Sequence, residues 1–316
     1  MTLNNVEVKV IFYLVGKKGY EVLVEFIKKN GKDSILSVII SKDLGVQNDY
    51  YKEIDKLCEK EKIKVFDRKN YKENENNKNT YRFAIGWRWI IEKVENLIIL
   101  HDSPLPKYRG FSPVVNMLIN REEVLGVTAI IANSEYDKGD IIAQRKIKIN
   151  YPIKIKEAIE LLIKLYIIII LDLYEKLKKQ KLKRKKQIEQ EASYSVWRDD
   201  KDYFIDWKND SKYICRFIDS VGFPYKGAIS SVDGEFYRIE EAIDYPDVKN
   251  IYYKDVRKDK AEEDLVNTQT EVKKHIVKEE EETERLAKEE NKVAANKLIQ
   301  SGLPQCKSND PYSCKI

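Results

Sequence analysis

Residue types that build many catalytic and metal centres are scarce in this 316-residue chain. It has four cysteines and two histidines, and no two cysteines form a Cys-x-x-Cys pair. The cysteines are Cys58, Cys215, Cys306 and Cys314. A disulfide framework and a zinc site are therefore not indicated, and a reducing compartment is the simpler interpretation. We expect no metal, and a reaction that needs an imidazole would have to use His101, because His275 lies in a highly charged tail.

Long apolar runs are absent as well. The longest, residues 165–173, follows Lys164, contains Asp172 and is too short to span a bilayer. The first residues lack the basic flank, apolar core and small-residue cleavage site of a signal peptide. These features predict a cytoplasmic protein without a membrane partner.

A strong charge of one sign is also missing. The 58 basic and 53 acidic residues leave a formal net charge of +5, so the overall charge does not argue for a nucleic-acid partner. The local exception is the basic run at residues 176–186, which is either a phosphate-contacting surface or a solvated helix end. Hydrophobic residues make up 42% of the chain, which is enough for a folded core.

The order of the apolar patterns predicts an α/β fold. Strand-length apolar runs occupy residues 8–15, 35–40, 63–66, 82–85, 97–100, 127–132 and 141–149. Helical patterns occupy residues 20–27, 49–62, a stretch from Trp87, 111–120 and 155–182. Strands that alternate with helices in this way form a twisted, mostly parallel sheet with helices on both faces.

Composition divides the chain into three parts. Residues 1–190 hold the alternating pattern and form the predicted main domain. Residues 191–255 carry short strand-like pieces, aromatic residues and Gly/Pro turns, which predict a small β-rich C-terminal domain. Residues 256–316 are highly charged with rough helical spacing, and we expect a charged helical or partly disordered tail.

The densest polar motif follows a predicted strand. Residues 101–113, HDSPLPKYRGFSP, come directly after the run at 97–100, where open parallel sheets bind their ligands. His101 carries the side chain best suited to proton transfer near neutral pH. Taken alone, it would more readily be a satisfied core or surface histidine.

A second polar motif follows another predicted strand. Residues 126–140, GVTAIIANSEYDKGD, place Asp137 two positions before Gly139. A carboxylate at this place could orient an imidazolium and help to move a proton from an attacking amine. Taken alone, the motif is an ordinary Asp-x-Gly turn.

Together the two motifs resemble the formyltransferases that use 10-formyltetrahydrofolate. That family usually shows Asn-x-His, then SLLP and RG, then Asp-x-Gly, and this chain shows HDSPLPKYRG followed by YDKGD. The resemblance covers residues 9–149 and continues into residues 194–245, where WRDDKDYFIDW and GFPYKGA are similar to the start of the family's small C-terminal domain. It implies a formyltransferase Rossmann-like catalytic domain that transfers a formyl group from 10-formyltetrahydrofolate to an amine, without a metal.

The resemblance also implies roles for individual residues. His101 and Asp137 match the family's catalytic pair. The implied folate-binding residues are Ile85, Gly86, Trp87, Arg88, Trp89, Asn133, Tyr136 and Gly139. Ser103, Pro106, Arg109 and Gly110 match family positions that shape the loop around the formyl group. Further candidate substrate-binding residues are Lys107, Tyr108, Trp197 and Tyr225. For the two tryptophans of the folate set, packing in the core is an equally good interpretation.

The chain departs from the family pattern at Ile99, where the family has an asparagine that helps to hold the formyl oxygen as negative charge develops. Isoleucine has no side-chain donor, and losing one such donor typically costs about 10²–10³ in turnover. Either another donor replaces it or activity is low. A catalytically impaired folate- or nucleotide-binding protein therefore remains an alternative.

Two acceptor amines compete within the family. The wording of the motifs is closer to the branch that formylates nucleotide-linked amino sugars, the precursors of surface polysaccharides such as lipopolysaccharide. Candidates for contacts to the sugar nucleotide are Arg109, Lys107, Tyr225 and Trp197. The alternative is a methionyl-tRNA formyltransferase, for which residues 176–186 would supply basic surface. The oligomeric state stays open, with a homodimer as one arrangement.

Overall fold

The computed structural model describes residues 6–72, 77–92, 95–198, 200–232 and 234–244, and the backbone of one further strand at residues 252–258. The strands are β1 Lys9–Leu14, β2 Ile35–Ile40, β3 Val65–Asp67, β4 Thr80–Ile85, β5 Leu97–His101, β6 Arg109–Gly110, β7 Val124–Ile131, β8 Ile141–Lys148, β9 Tyr194–Ser195, β10 Ala228–Val232, β11 Glu235–Ile243 and β12 Tyr252–Lys258. The α-helices are α1 Gly16–Asn30, α2 Tyr51–Glu61, α3 Pro113–Ile119, α4 Ile155–Lys178 and α5 Ser211–Val221.

Seven strands form the main sheet, in the order β3-β2-β1-β4-β5-β7-β8. The strands from β3 to β5 run parallel to one another, whereas β7 and β8 are antiparallel to their neighbours. The prediction of a mostly parallel α/β sheet is therefore confirmed. The central strand β1 reads as one continuous apolar run because it is covered on both faces.

The sheet separates two apolar clusters. In β1, Phe12 and Leu14 belong to the larger cluster, whereas Ile11 and Tyr13 belong to the smaller one. Successive side chains of a strand point to opposite faces, so the two clusters lie on opposite faces of the sheet. In β5 the smaller cluster includes Leu97 and the partly buried Ile99. His101 is two residues further along the strand and shares that face.

Helices were expected on both faces. In the part of the chain that the structure describes, the buried apolar side chains of α1 to α5 all belong to the larger cluster. Loop residues, among them Tyr71, Trp87 and Ile91, pack against the smaller cluster instead. The prediction of a helix from Trp87 is wrong for the described residues 87–92, which are irregular. Trp87 packs its ring edge-on against Tyr13, with centroids 5.1 Å apart, and this packing overrides a weak helical pattern.

Helix α4 crosses the larger-cluster face of the sheet. The Tyr166 hydroxyl donates to the carbonyl of Leu100 at the end of β5, and the Tyr174 hydroxyl donates to the carbonyl of Val8 at the start of β1. The helix ends at Lys178, four residues before the predicted end. Of the helices in the described segments, none has the length and apolar content needed to cross a bilayer.

The C-terminal part of the described chain contains a small antiparallel sheet in the order β10-β11-β12. Strands β10 and β11 lie within residues 194–245, where strand-like pieces were predicted, whereas β12 lies beyond them and its last three residues fall in the predicted helical tail. Helix α5 was not predicted. Its N-cap is Asp210, whose carboxylate accepts the backbone N–H of Tyr213, and it buries Phe217 and Ile218. The domain boundaries remain predictions, and the predicted tail lies outside the described residues from 259 onward.

Candidate active site

His101 is the last residue of β5 and only 8% of it is exposed. Its Nε2 lies 2.7 Å from the backbone carbonyl oxygen of Tyr108. A carbonyl oxygen only accepts hydrogen bonds, so Nε2 carries the proton of this contact. The loop after β5 thus returns over the ring and sets its tautomer.

The other ring nitrogen faces a carboxylate. Nδ1 of His101 lies 3.6 Å from Oδ1 of Asp137, and Oδ2 of Asp137 accepts the backbone N–H of Gly110 at 2.8 Å. Asp137 has a left-handed backbone, with φ of 54°, in the loop between β7 and β8. Aspartate is one of the few non-glycine residues that adopts this conformation readily. The turn aims the side chain at the ring across the loop that follows β5.

The loop after His101 is held mainly by internal hydrogen bonds. The Ser103 hydroxyl donates to the carbonyl of Lys107 at 2.6 Å. The Thr128 hydroxyl of β7 donates to the carbonyl of Ser103 at 2.6 Å and accepts the backbone N–H of Leu105 at 3.1 Å. Gln144 of β8 donates to the Leu105 carbonyl at 2.8 Å. Because these buried polar groups are satisfied within the protein, the loop has a defined shape before any ligand binds.

Two glycines are required at the site because backbones approach closely. A Cβ added to Gly139 would lie 1.8 Å from the carbonyl oxygen of Ile131. A Cβ added to Gly110 would lie 2.7 Å from the carbonyl oxygen of Ser195, and Gly110 has a φ of 96°. These contacts explain the glycine of Asp-x-Gly and the glycine that follows Arg109.

Asp102, the neighbour of His101, is committed to other partners. Its Oδ1 accepts the Tyr166 hydroxyl at 2.7 Å, and its Oδ2 forms an ion pair with Lys18 near the start of α1. Burial and the nearby Asp102 charge raise the pKa of Tyr166 well above its usual range, so the hydroxyl stays a donor. Asp102 therefore anchors the end of β5.

Arg109 is buried and bound inside the protein. It is 1% exposed, and its Nη1 donates to both carboxylate oxygens of Glu189 at 2.9 Å and to the Tyr194 hydroxyl at 3.1 Å. Its Nε and Nη2 donate to the side-chain oxygen of Gln187 at 3.1 and 3.0 Å. This guanidinium shapes the site, because its donors are used within the fold.

One known protein family matches the part of the chain that carries His101 and Asp137. Residues 15–160, which include His101 and Asp137, match the family described as formyl transferase. A methionyl-tRNA formyltransferase of Halothermothrix orenii is 32% identical to it over 142 residues, 45% of this chain and 45% of that protein. The bifunctional polymyxin resistance protein ArnA of Wigglesworthia glossinidia brevipalpis is 31% identical over 239 residues, 70% of this chain and 36% of that protein. The chain thus spans about half the length, or less, of these curated relatives.

Solved structures share the fold of most of this chain. WlaRD, a sugar 3N-formyl transferase crystallised with dTDP and 5-N-formyl-THF, has a TM-score of 0.58 at 22% identity, over 75% of this chain and 86% of that chain. The methionyl-tRNA formyltransferase of Clostridium thermocellum has a TM-score of 0.56 at 20% identity, over 80% of this chain and 100% of that chain. A protein named for a sugar acceptor and a protein named for a tRNA acceptor therefore both have this fold.

The residues predicted to bind folate fall into two groups. Ile85 is fully buried in the larger cluster, so it can offer a ligand only its backbone. The rings of Trp87 and Trp89 contact each other edge-on at 5.1 Å, and the guanidinium of Arg68 lies 4.8 Å from the Trp89 centroid. Nε1 of Trp87 is buried without a hydrogen-bond partner in the described residues. Tyr136 is 74% exposed in the Asp137 loop.

The remaining predicted folate-binding residues lie around the site and contact other parts of the protein. Gly86 has a φ of 63° at the end of β4, and Gly139 packs against β7. The Asn133 side chain accepts the backbone N–H of Glu135 and so helps to shape the Asp137 loop. Arg88 forms an ion pair with the buried Asp43, in the loop after β2.

The predicted substrate-binding residues lie in two places. Ser103 and Tyr108 are buried within the loop, and Pro106 accepts the backbone N–H of Ser193, whereas Lys107 is exposed. Trp197 is half-exposed, contacts Phe111 edge-on at 4.9 Å, and its ring lies 5.9 Å from the guanidinium of Arg88. Phe111 directly follows Gly110, so this aromatic pair borders the His101 site.

Tyr225 comes from the C-terminal part and lies close to the same area. Burial raises its pKa to about 12; the Arg88 charge lowers it, and the Asp102 and Asp43 charges raise it. Gln47 ties its loop to the loop after β2, because the side-chain amide donates to the Tyr225 carbonyl at 2.7 Å. The structure thus brings Trp197, Arg88 and Tyr225 to one side of the site.

Sequence reasoning missed several residues that build the site, including Gln187, Glu189, Lys18 and Tyr166. Gln187 lies beside a basic run and Tyr166 lies within an apolar helix, so no local pattern marks either. Only the fold brings them to the loop. Among the residues that the structure describes, no three His, Cys, Asp or Glu side chains are grouped so as to hold a metal ion.

Proposed function

We propose that this protein transfers a formyl group from 10-formyltetrahydrofolate to an amine. The observation that carries the proposal is the pairing of His101 with Asp137, at 3.6 Å, inside a formyl transferase domain. The two residues lie 36 positions apart in sequence (137 − 101), with His101 at the end of β5 and Asp137 in the loop after β7. An imidazole beside a fixed carboxylate is an arrangement suited to proton transfer.

The ring of His101 has one nitrogen available for a substrate proton. Nε2 donates to the Tyr108 carbonyl, which leaves Nδ1 to take the proton of an attacking amine. The Asp137 carboxylate stabilises the imidazolium that results, because an opposite charge at this distance favours the charged form. When the tetrahedral intermediate collapses, Nδ1–H gives this proton to the folate nitrogen, so that the bond between that nitrogen and the formyl carbon breaks and tetrahydrofolate leaves as a neutral amine.

The folate would supply the formyl group. The face of the sheet that carries the smaller cluster offers apolar side chains and a buried hydrogen-bond donor for its ring. Trp87 and the partly buried Ile99 pack on the cluster of that face, which His101 shares. The buried Nε1–H of Trp87 lacks a protein acceptor in the described chain. An unpaired buried donor costs about 1–3 kcal/mol, and a carbonyl of a bound ring would remove that cost. Trp87, Trp89 and the Asp137 loop are the residues we propose for this role.

The acceptor that we propose is the amine of a nucleotide-linked amino sugar. Trp197 and Phe111 offer an aromatic surface next to Gly110, and Arg88 adds a cation above the Trp197 ring. A nucleotide base stacks on such a ring, and a guanidinium suits a phosphate. The N-formyltransferase of Helicobacter canadensis, whose structure contains folinic acid and dTDP-3-aminofucose, has the same fold with a TM-score of 0.60 at 20% identity. In this proposal the product is a polysaccharide precursor that is made in the cytoplasm.

The alternative acceptor is methionyl-tRNA. Curated relatives that match 45% and 46% of this chain carry that name. Residues 183–186, KRKK, are exposed and run into Gln187 beside the Asp137 loop. Exposed cations at this position could meet the phosphates of an RNA acceptor.

A third reading is an impaired, ligand-binding protein, because Ile99 removes a donor. Against it stands the intact geometry around His101: the tautomer-setting carbonyl, the Asp137 contact and the Gly110 N–H are all in place. A site that only binds would not require this set.

An acceptor screen decides between these readings. The protein is mixed with 10-formyltetrahydrofolate, and release of tetrahydrofolate is followed with a panel of nucleotide-linked amino sugars and with methionyl-tRNA. Turnover with an amino sugar is the expected result. Turnover with the tRNA alone would select the alternative acceptor, and folate binding without turnover on any acceptor would overturn the enzymatic proposal.

A further inference from the structure

The segment after α4 returns to the active site. Lys185 pairs with Ile141 at the start of β8 through two backbone hydrogen bonds of 2.8 Å. Further along, β9 pairs with β6, so that Tyr194 lies opposite Arg109 and Ser195 opposite Gly110. The chain between these two contacts passes beside the Asp137 loop, and Gln187 is the residue that reaches into it.

Gln187 uses both ends of its side-chain amide. Its Oε1 accepts hydrogen bonds from Nε and Nη2 of Arg109 at 3.1 and 3.0 Å. Its Nε2 donates to the carbonyl oxygens of Asp137 and Gly139 at 2.6 and 2.8 Å. One side chain therefore joins the buried guanidinium to the backbone on both sides of Lys138.

The Arg109 guanidinium is held firmly in place, so it can fix the position of Gln187. Arg109 is almost completely buried, and its Nη1 donates to Glu189 and Tyr194. A buried cation with several partners is costly to displace. On the other side, Asp137 lies in the loop between β7 and β8, outside regular secondary structure, so its position depends on support from hydrogen bonds. Gln187 supplies that support from the Arg109 side, and the Gly110 N–H supplies it at the carboxylate.

We infer that Gln187 is a positioning residue, which holds the Asp137 carboxylate at its working distance from His101. The inference rests on the proposed formyl transfer. Gln187 acts through Asp137 and does not itself need to touch the reacting atoms. A misplacement of about 1 Å in a reacting group can cost about 10²-fold in rate. Loss of the two Nε2 donors should therefore reduce turnover much more than substrate binding.

The substitution Gln187→Glu separates the two halves of the contact. It keeps an oxygen acceptor for Arg109 but replaces the donor by a second oxygen, which the carbonyls of Asp137 and Gly139 repel. We expect kcat to fall by about 10- to 100-fold, with KM for folate and acceptor within about twofold, because only alignment is lost. Gln190→Glu is the matched control, since it makes the same chemical change at an exposed position three residues away. Wild-type kcat in Gln187→Glu would overturn the inference.

A double-mutant cycle distinguishes positioning from a general structural role. If Gln187 acts through the Asp137 side chain, then Gln187→Glu adds little to the loss caused by Asp137→Asn. Independent, multiplicative losses in the double variant would contradict the inference.

The contact between Gln187 and the Asp137 loop can also be tested by a measurement that does not depend on enzymatic activity. Its outcome is then independent of whether the proposed function is correct. The sequence has only two histidines, so a His275→Gln background leaves His101 as the sole source of imidazole ring signals in an NMR spectrum. At fixed pH, Gln187→Glu should shift the His101 ring resonances, and Gln190→Glu should not. If wild-type protein transferred no formyl group but the shift appeared, the proposed function would fail while the positioning contact stood. Unmoved resonances would reject the contact.

Discussion

The backbone carbonyl of Tyr108 lies 2.7 Å from Nε2 of His101 and assigns the proton to that nitrogen. Tyr108 itself is anchored away from the site, because its hydroxyl donates to Glu122 at 2.8 Å and accepts from Asn120 at 3.1 Å. The His101 ring is thus oriented by a residue whose side chain points into the protein, and Nδ1 is left facing Asp137.

Because of this orientation, we expect replacement of His101 to cause the largest loss of turnover. His101→Gln keeps a polar side chain but cannot exchange a proton, so we expect turnover to fall by about 10²–10⁴-fold. Formyl transfer is measured as tetrahydrofolate release. His275→Gln is the control, because it removes the other histidine of the sequence and should leave turnover unchanged. Near-normal turnover in His101→Gln would rule out the proposed proton transfer.

At Ile99, a substitution is expected to maintain or raise turnover. It lies on the face of His101, opposite Ala84 of β4 and Ile130 of β7. Ile99→Asn would restore an amide donor, and we expect turnover to stay level or rise, up to about tenfold, because one such donor is worth about 10²–10³ when fully aligned. Steady-state kinetics with a melting curve would check this. A large loss of turnover in a folded protein would show that the position has been rebuilt around an apolar side chain.

Gly139 should be intolerant of any side chain. A Cβ at this residue would lie 1.8 Å from the Ile131 carbonyl oxygen and would force the loop away from β7, so we expect Gly139→Ala to destabilise the fold by about 1–3 kcal/mol or more. Unfolding in urea measures this difference. Gly222→Ala is the matched control: its added Cβ would lie 3.4 Å from the nearest atom, and its φ of −68° suits alanine. Equal effects of the two changes would disprove the steric argument.

Trp197 tests the acceptor proposal. If it stacks on the nucleotide, Trp197→Ala should raise KM for the amino-sugar acceptor by about tenfold, since one base–aromatic contact is worth about 1–3 kcal/mol. KM for folate should not change. Trp207→Ala removes another partly exposed tryptophan, one bonded to Ser230 in the C-terminal part, and serves as the control. If both variants kept the wild-type KM, the stacking role would be refuted.

Asp219 predicts a pH dependence of stability. Burial raises the pKa of this carboxyl from 3.8 to about 6; Lys154 lowers it, and Glu241 and Glu157 raise it. Because the folded state holds the proton more tightly than the unfolded state, stability is lost as pH rises from about 4 to about 6, and the loss persists above that window. Asp219→Asn removes the buried charge. Since Asp219 is partly exposed, we expect it to stabilise the protein by roughly 1–2 kcal/mol at pH 7.5.

The same comparison near pH 4 should show almost no difference between Asp219→Asn and wild type, because the folded wild-type carboxyl is then protonated. Asp33→Asn makes the equivalent change at an exposed aspartate and should alter stability little at either pH. An Asp219→Asn effect that was independent of pH would contradict the assigned cause.

Local patterns predicted most of the sheet because its inner strands are buried on both faces. The run at residues 35–40 corresponds to β2, and the run at 97–100 to all but the last residue of β5. Patterns failed where packing overrides a weak preference. Trp87 begins no helix because its ring is taken up by Tyr13, and α5 was not predicted because its eleven residues lie between turn-rich pieces.

By itself, the sequence determined the α/β alternation and pointed to His101 and Asp137, because apolar periodicity and short polar motifs are local properties of a chain. Only the tertiary structure decided that these two side chains meet, that Tyr108 turns its carbonyl to the ring, and that Gln187 joins Arg109 to the Asp137 loop. Those contacts depend on strand order and on the path of the chain after α4. The spacing of neighbouring residues does not determine the strand order or the path of the chain.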